Sequence, residues 1–528
     1  FMSCAALKQA VLPATIKKMD NYAFYGCGLE TIALPDGVDT IGTNVFQSCR
    51  SLVSAKLPAT LKAVPDYMFS SCPALTTVSN MENITEIGAS AFEGCTSLKT
   101  DIPSGVTDLG TSAFKNCKAI ETITIPSAIK SIPNSLLSGC TALKTVTMAA
   151  DVETFGSSLF EGCTNLTSLV YAGGETADET TDGSDGNVIT LPASLTTIGN
   201  NCFSKCTAVT GYRLNDGLDK IGNYAFADNP NLKSIRLPET VTSIGNYAFR
   251  ATGLTELVLP AGVTYLGNYI AQNCTGIVFY TCNPEPVSCS GTTFSPSGYN
   301  GTSTIVVPTG SKEAYEAASY WKKNTILSPA ANSLTIGGDI VTKLENGKTN
   351  AALPFSFGYD MDNLPTQFAG ANDGVVAGTS TFVLNYKDGG REAETVVPAC
   401  KDGLLLITGL ELEKGKEYTA ALTATMADGV TTLTSNDFTL TGGKEDSSVT
   451  RIDIVTGNAV RATGALRADG NRIVISGCKG TTFTVCNAAG AVMTQFTADS
   501  DEFVARFNFR SGVYIISGNG TSVKFTVK

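Results

Sequence analysis

Residues 232–248 read LKSIRLPETVTSIGNYA, and Phe249 follows them. The first half of this stretch places apolar residues two apart, at Ile235 and Leu237, with polar residues in between. A period of two is typical of a strand that has one buried face and one face toward solvent. The stretch therefore predicts a short strand with Ile235 and Leu237 in a core.

The second half of the stretch predicts a different local structure. Pro238 ends the strand, since proline has no amide hydrogen to donate to a ladder. Beyond it, Val241, Ile244 and Ala248 lie three to four residues apart, which suits a tight turn of 3₁₀ or helix on the opposite side of a coil. A unit this small cannot bury its own apolar face.

Copies of this unit fill more than half of the chain. Its final phenylalanine recurs at Phe1, Phe24, Phe46, Phe69, Phe92, Phe114, Phe160, Phe203, Phe226 and Phe249. Leu137 takes the same slot between Phe114 and Phe160, and Ala271 takes it in a last copy. Successive slots are 22 or 23 residues apart except for one step of 43, which predicts one repeat with an insertion.

Stacked copies would bury a continuous column of Leu, Ile, Val and Phe side chains. Leucine at position 137 fits this column, because another large apolar side chain can fill the same space. The sequence therefore predicts a solenoid of about 12 rungs over residues 1–277, each rung a short strand plus a 3₁₀ or helical turn.

The repeat resembles that of the BspA-like leucine-rich repeat family of bacterial surface proteins. A passage that resembles the cap of that family's arrays follows in residues 278–329, and it contains Pro284, Pro286, 306–310 (VVPTG), Tyr315, Trp321 and Ile326. The resemblance implies an exported protein that binds other macromolecules, in the manner of adhesins. A cap would cover the last apolar rung and protect an exposed strand edge.

Composition restricts the possible partners. The chain has 528 residues, a net charge of −11 and a pI near 4.8, so phosphate backbones would be repelled and nucleic acid is not expected as a partner. Since the sequence has no run of 18 or more apolar residues, it predicts no membrane span. It shows no signal peptide either, and it opens in mid-repeat at Phe1, so an upstream segment is expected to have been removed.

Ten of the 16 cysteines hold one fixed place in the repeat, three residues after the phenylalanine slot. They are Cys4, Cys27, Cys49, Cys72, Cys95, Cys117, Cys140, Cys163, Cys206 and Cys274. A ladder spreads its members along an axis, so these residues are predicted to be small buried hydrophobes and not metal ligands. Two other pairs, Cys282 with Cys289 and Cys478 with Cys486, are either disulfides of an exported protein or free thiols.

An acidic insertion, residues 173–187, begins GGETADETTDGSDG and accounts for the long step between repeats. Its carboxylates, Asp178, Glu179, Asp182 and Asp185, lack the spacing and the closing glutamate of an EF-hand calcium loop. The favoured interpretation is a solvated loop.

Two surfaces of the array are candidates for ligand binding. Outward strand positions carry mostly hydroxyls and a few basic groups, among them Thr122, Thr124, Thr145, Thr147, Arg213, Ser234 and Arg236. Tyrosines occupy one slot in three consecutive repeats, at Tyr224, Tyr247 and Tyr269. Such a strip could receive a sugar or a peptide, or its rings could simply pack on one another.

From residue 330 the repeat gives way to alternating strands with Gly, Asn and Asp turns, which predicts a β-sandwich over residues 330–443. Its passage GLELEKGKEYTAALTA resembles the late strands of a fibronectin type III or immunoglobulin-like module, with Leu410 and Tyr418 at the matching corner. The usual tryptophan of that family is missing. A spacer or a platform for the array is the expected role.

A polar linker, residues 444–450, leads to a second small β-sandwich over residues 451–528. This tail resembles the C-terminal sorting domain of the type IX secretion system in three places: the turn 487–490, residues 512–515 (GVYI) and the closing Lys524 and Phe525. The resemblance implies export across the outer membrane and a secreted or outer-surface location. Without it, the tail is a further β-module of unassigned purpose.

Catalysis is not expected. The chain contains no histidine, which removes Ser-His and Cys-His nucleophile pairs and histidine metal ligands. No glycine-rich loop lies between a strand and a helix, so no cofactor is predicted. The sequence predicts a non-enzymatic surface protein that binds a host or bacterial surface protein. The alternatives are a carbohydrate-binding module of a glycan-uptake system and a purely structural stalk.

Overall fold

The computed structural model describes residues 1–172, 187–297, 301–338, 340–345, 347–388, 391–397, 400–401 and 404–443, together with seven strands of residues 466–527. The chain divides into two compact units, Phe1–Pro329 and Ala330–Lys528. Residues 173–186 of the acidic insertion, the linker 444–450, Cys478 and the turn 488–490 lie outside the described residues.

The first unit is a parallel β-solenoid with about 13 turns over residues 18–327. Its strands are β1 Lys18–Met19, β2 Thr31–Ala33, β3 Thr40–Ile41, β4 Ser54–Lys56, β5 Ala63–Val64, β6 Thr77–Ser79, β7 Glu86–Ile87, β8 Asp108–Leu109, β9 Thr122–Thr124, β10 Ser131–Ile132, β11 Thr145–Ala149, β12 Thr154–Phe155, β13 Ser168–Ala172, β14 Val188–Thr190, β15 Thr197–Ile198, β16 Gly211–Arg213, β17 Lys220–Ile221, β18 Ser234–Arg236, β19 Ser243–Ile244, β20 Glu256–Leu259, β21 Tyr265–Leu266, β22 Val278–Thr281, β23 Thr304–Val306 and β24 Thr325–Leu327, with one helix, α1 Lys312–Ala317.

Strands of three to five residues form what we term the front face, made of β2, β4, β6, β9, β11, β13, β14, β16, β18, β20, β22, β23 and β24. Two-residue strands form the back face, made of β1, β3, β5, β7, β8, β10, β12, β15, β17, β19 and β21. Each described pair of neighbouring strands on either face is parallel, because successive repeats coil in the same direction. The predicted outward direction of Ser234 and Arg236 is confirmed, since both are exposed and Leu237 is buried.

The core contains the predicted phenylalanine column except for Phe1, which is 73% exposed at the end of the column. Neighbouring rings stack with centroids 5.3–5.7 Å apart in the pairs that join Phe1 to Phe24, Phe24 to Phe46, Phe46 to Phe69, Phe69 to Phe92, Phe92 to Phe114, Phe160 to Phe203, Phe203 to Phe226 and Phe226 to Phe249. Leu137 is fully buried in its place. Stacked pairs of this kind add about 0.5–1.5 kcal/mol each beyond area burial, so the column stabilises the contact between turns.

The prediction of a 3₁₀ or helical turn in each repeat was wrong. Residues 1–172 and 187–277 contain strands and hydrogen-bonded turns but neither type of helix. Ile244 lies in the two-residue strand β19, and Tyr247, whose backbone is left-handed with φ 56°, stands between Ile244 and Ala248. A short strand followed by a left-handed corner therefore gives a helix-like spacing without a helix.

The turn that carries the acidic insertion crosses the front face twice. β13 pairs with β11 before the insertion and β14 pairs with β16 after it, whereas on the back face β12 pairs directly with β15. The front face therefore changes from one sheet to another at this point. The Tyr171 hydroxyl in β13 donates to the Thr190 carbonyl in β14 at 2.6 Å and links the two sheets.

Residues 278–329 continue the ladder, since β22, β23 and β24 pair in parallel beyond β20. Large aromatic side chains fill the core of this segment: Trp321 packs on Phe294 with centroids 4.7 Å apart and on Tyr315 at the same distance. The Trp321 Nε1–H donates to the Val287 carbonyl at 2.8 Å, so the buried indole is satisfied.

The second unit begins with antiparallel sheets that share one buried cluster. Its elements up to residue 443 are β25 Ala331–Ile336, β26 Val341–Glu345, β27 Lys348–Tyr359, α2 Thr366–Thr379, β28 Thr381–Asp388, β29 Arg391–Val397, β30 Cys400–Lys401, β31 Leu404–Leu410, β32 Glu417–Thr425, β33 Thr432–Thr434 and β34 Phe438–Thr441. One sheet has the order β25-β27-β31-β30 with β26 on β27, and the other has β29-β28-β32-β33 with β34 on β32.

Helix α2 was not predicted from the sequence. Its side chains Phe368 and Val376 are buried. Asp373 accepts hydrogen bonds from the Phe357 amide at 3.1 Å and the Tyr359 hydroxyl at 2.7 Å, so the helix is bonded to β27.

The remaining strands are β35 Leu466–Asp469, β36 Arg472–Ser476, β37 Thr482–Asn487, β38 Val492–Thr497, β39 Glu502–Arg506, β40 Gly512–Gly518 and β41 Thr521–Val527. They form two antiparallel sheets, of orders β35-β36-β39 and β38-β37-β40-β41. Alternating strands were predicted here. The division into separate domains at residues 444–450 remains a prediction.

Candidate binding surfaces

The front face presents a block of hydroxyls on β9 and β11. Thr122 lies in register with Thr145, and Thr124 lies in register with Thr147. The two threonines of β9 are exposed, and those of β11 are half-exposed. Because backbone groups of neighbouring strands bond to each other, side chains are what this block offers to a ligand.

A basic block lies on the other side of the insertion, in a different sheet. Arg213 in β16 is in register with Arg236 in β18, and Gly211 is in register with Ser234. Both arginines and Ser234 are exposed. The structure thus brings Arg213, Ser234 and Arg236 together and assigns the four threonines to a separate sheet.

The three tyrosines lie on a third surface, at the corner between the back face and the phenylalanine column. Tyr224 and Tyr247 stack with ring centroids 4.7 Å apart, and Tyr247 and Tyr269 stack at 5.1 Å. All three rings are half-exposed. Since the planes are nearly parallel along the array, the middle ring has both faces covered and the stack presents ring edges and hydroxyls to solvent.

All three tyrosines also adopt an uncommon backbone conformation, with φ between 54° and 56°. This left-handed region is disfavoured for bulky residues, and the other turns place serine or asparagine in the slot, except for Tyr22 and Tyr67. Ring stacking is a contact that offsets this cost in the three consecutive turns.

An asparagine ladder supports the tyrosine stack, and the sequence reasoning missed it. Asn200 Oδ1 accepts the Asn223 amide at 2.8 Å, Asn223 Oδ1 accepts the Asn246 amide at 2.7 Å, and Asn246 Oδ1 accepts the Asn268 amide at 2.6 Å. The signal was present as a Gly-Asn dipeptide in four consecutive copies of the repeat. These side-chain oxygens bond the backbone amides of the next turn, and so they stabilise the corner that carries the tyrosines.

A family model for the BspA type leucine rich repeat region matches residues 1–117, 81–177 and 183–294, which is more than half of the chain. The chain belongs to the BspA-type leucine-rich repeat family. The model describes a repeat region and names no catalytic activity.

Several solved structures are similar to this BspA-type chain. A leucine-rich repeat protein from Bacteroides ovatus ATCC 8483 is 22% identical, over 59% of this chain and 87% of its own, with a TM-score of 0.39. A leucine rich cell surface protein from Faecalibacterium prausnitzii A2-165 is 22% identical, over 59% and 89%, with a TM-score of 0.43. The pneumococcal vaccine antigen PcpA is 18% identical, over 57% and 89%, with a TM-score of 0.40. No significant match was found among curated proteins.

The cysteine ladder of the BspA-type array does more than fill space. The Cys95 thiol donates to the Phe69 carbonyl at 3.1 Å, and Cys117 donates to the Phe92 carbonyl at 3.2 Å. The same bond to the preceding slot is made by Cys27, Cys49, Cys72, Cys140, Cys163, Cys206 and Cys274. Burial raises the pKa of the Cys95 thiol to about 12, so the ladder is held in the protonated, donating form.

Two turns replace the cysteine by another donor. Asn229 donates from Nδ2 to the carbonyls of Phe203 and Phe226, at 2.8 and 2.9 Å, and Thr252 donates to the Phe249 carbonyl at 3.0 Å. The slot therefore selects a hydrogen-bond donor of small size, which the interpretation as a small hydrophobe did not include.

Other predicted thiols and ligand groups behave differently. Cys4 is exposed, and Cys282 and Cys289 are free thiols in the described structure. Within the residues that the structure describes, no three His, Cys, Asp or Glu side chains converge as metal ligands would. No described helix is long and apolar enough to cross a membrane.

Proposed function

We propose that this protein acts without catalysis, by binding another protein through the front face of its repeat array. The observation that carries the proposal is the register of exposed side chains on parallel strands whose backbone groups are already bonded. Such a face offers a fixed pattern of hydroxyl and charged groups over many turns, which suits a large partner. Membership of the BspA-type family supports this assignment.

The partner is a protein in preference to a glycan because of how the tyrosines stack. Sugar rings bind to exposed faces of aromatic side chains, and the faces between Tyr224, Tyr247 and Tyr269 are covered by one another. A row of edges offers a glycan little of that contact.

The location that we propose is the outer cell surface after secretion. Residues 451–528 resemble the C-terminal sorting domain of the type IX secretion system, which would direct export and attachment. Residues 330–443 resemble a fibronectin type III or immunoglobulin-like module and would act as a spacer or as a platform for the array. The described strands of both segments are antiparallel, which is compatible with these assignments.

The test compares two full-chain variants that place the same charges on opposite faces of the same two turns. Thr124→Arg with Thr147→Arg alters the front face, and Ser131→Arg with Thr154→Arg alters the back face at β10 and β12. Binding of labelled protein to a panel of immobilised extracellular-matrix and bacterial surface proteins is measured for both. We expect the front variant to lose the partner that the wild type and the back variant retain. Equal binding by the two variants, or a wild type that captures no protein in the panel, would refute the proposal.

A further inference from the structure

We infer that Tyr22 and Tyr67 form the two walls of a gap that receives one aromatic side chain of a partner polypeptide. We term the space between them, over Asn44, the ring gap. It lies on the corner between the back face and the phenylalanine column, so it is separate from the front face and goes beyond the function proposed above.

The walls of the ring gap occupy the same slot of the repeat as the stacked tyrosines. Tyr22, Asn44 and Tyr67 have φ of 59°, 61° and 58°, close to the values in the tyrosine stack. The Tyr22 amide donates to the Thr43 carbonyl of the next turn at 3.1 Å. The Asn44 amide donates in the same way to the Asp66 carbonyl at 3.0 Å. The three turns therefore follow one another along a single row of corners.

The tyrosine stack shows what such a gap can hold. Tyr247 lies between the rings of Tyr224 and Tyr269, with centroids 4.7 and 5.1 Å from its two neighbours. The outer rings of the stack are two turns apart, and so are the walls of the ring gap, which is about 9.6 Å at the usual spacing of strands. In the ring gap the middle turn carries Asn44 in place of a ring. The chain therefore leaves unfilled here the space that Tyr247 fills in the stack.

The side chains around the ring gap leave it accessible. Tyr22 is 43% exposed and Tyr67 is 39% exposed. The Asn44 Nδ2–H donates to Gln47 Oε1 at 2.7 Å, within its own turn. Tyr25, which also lies three residues after its slot, contacts the Tyr22 ring edge-on with centroids 5.8 Å apart. Both contacts are made within one turn, so they position one wall and the floor of the gap.

The fold does not require tyrosine at these two positions. The left-handed region disfavours bulky side chains, and the turns outside the tyrosine stack otherwise use serine or asparagine in the slot, at Asn44, Ser90, Ser112, Ser135, Ser158 and Asn201. Tyr22 has only an edge contact with Tyr25, and within the described part of the chain Tyr67 has no aromatic partner. A bulky residue held in a disfavoured conformation without a stacking partner points to a contact that is made in a complex.

The chemistry of the ring gap favours an aromatic side chain as its occupant. A sugar brings several hydroxyls that need hydrogen-bond partners, whereas the Asn44 amide nitrogen at the floor already donates to Gln47. An aromatic ring needs no such partner and can stack on both walls, as Tyr247 stacks on both its neighbours. Tryptophan and tyrosine are also the side chains that most often anchor protein interfaces.

The experiment uses the full-chain protein and a Gly-Ser decapeptide with one central tryptophan. Saturation-transfer difference NMR records the indole hydrogens of the peptide in the presence of the protein. Matched peptides carry leucine or arginine at the centre, and maltohexaose is the glycan probe. We expect the tryptophan peptide to give the strongest signal of the four probes.

Two single substitutions separate the ring gap from the rest of the surface. Asn44→Tyr fills the gap with a ring of the chain itself and removes neither wall. Its matched control, Ser112→Tyr, adds a tyrosine to the same slot between Ser90 and Ser135, where no rings flank it. We expect Asn44→Tyr to weaken binding of the tryptophan peptide roughly tenfold, the value of two ring contacts, and Ser112→Tyr to match the wild type.

A double variant tests the walls themselves. Tyr22→Ser with Tyr67→Ser replaces both rings by a residue that other turns use in this slot, and it should weaken binding as much as Asn44→Tyr does. Hydrogen exchange of residues 40–50 provides a readout that needs no ligand. Asn44→Tyr should raise protection there, because its ring stacks between the two walls, and lower protection would show that the gap cannot hold a ring.

Equal binding of the tryptophan peptide by Asn44→Tyr and Ser112→Tyr would overturn the inference, because the gap would then play no part. Equal binding of the leucine peptide would remove the requirement for a ring. A preference for maltohexaose or for the arginine peptide would overturn the choice of an aromatic side chain. None of these substitutions lies on the front face, so the ring gap and the proposed function can fail independently of each other.

Discussion

Replacing a tyrosine by asparagine in the left-handed slot should have opposite effects in two turns of the array. Tyr247 has φ 56° and lies between Tyr224 at 4.7 Å and Tyr269 at 5.1 Å. Tyr67 has almost the same backbone, with φ 58°, and is 39% exposed. The turns on either side of Tyr67 carry asparagine and serine in this slot, so no ring is available to stack on it.

The magnitudes follow from two opposing effects. Asparagine relieves the cost of holding a bulky residue in the left-handed region, which is about 1–2 kcal/mol. At Tyr247 the same substitution removes two ring contacts, and these are worth about 1–3 kcal/mol together. At the middle of these ranges, we expect Tyr247→Asn to destabilise its turn by about 0.5 kcal/mol and Tyr67→Asn to stabilise its turn by about 1–2 kcal/mol.

A local measurement is needed because arrays of repeats and several domains do not unfold in one two-state transition. Native-state hydrogen exchange, followed by mass spectrometry of peptides that cover the altered turn and its neighbours, gives the local free energy of opening. Protection should fall around position 247 and rise around position 67. If both substitutions raise protection, the ring contacts of Tyr247 do not offset the cost of its backbone conformation, and the reasoning is refuted.

Three further results are expected. Cys4 should react with a thiol reagent in the native protein far faster than Cys95, whose pKa of about 12 lowers the thiolate fraction roughly a thousandfold, and peptide mapping measures both rates. Trp321→Phe should lower the stability of residues 278–329 by about 1–3 kcal/mol, since the Val287 carbonyl loses its donor, and hydrogen exchange of that segment reports the change. Burial raises the pKa of Asp373, so its contribution to stability is present at low pH and is lost as pH rises through the raised pKa. The variant Asp373→Asn keeps the hydrogen-bond acceptor, so its melting temperature should depend less on pH between 4 and 7 than that of the wild type. Identical pH profiles of the two proteins would contradict this.

The repeat made the core predictable. One turn contains too little information to identify a buried ring, but ten copies of the slot identify it, and Leu137 could be assigned to the column by its distance from Phe114 and Phe160. Arg213 and Arg236 are one repeat apart in the sequence, and the structure places them in register on neighbouring strands.

The strands of the back face could not be predicted from the sequence, because each of them is only two residues long. Ser243 and Ile244 pair with Lys220 and Ile221, and two residues cannot show a period of two. The sequence reasoning therefore interpreted the spacing of apolar residues as helical, when a two-residue strand and a left-handed corner produce it.

Helix α2 was missed for another reason. Gly370, Gly374 and Gly378 are poor helix formers, and their number argues for a loop. The helix is held by tertiary contacts, through the burial of Phe368 and Val376, which no local pattern in the sequence reveals.

The thiol ladder also determines when each cysteine is hidden during synthesis. Cys49, for example, bonds to a carbonyl 25 residues earlier, so its hydrogen-bond partner has already been synthesised when Cys49 emerges. A ribosome adds one repeat in about 1–5 s, which is ample time for a turn to dock on its predecessor. Each thiol of a nascent array can thus form its hydrogen bond soon after synthesis, which shortens the time during which it is available for crosslinking.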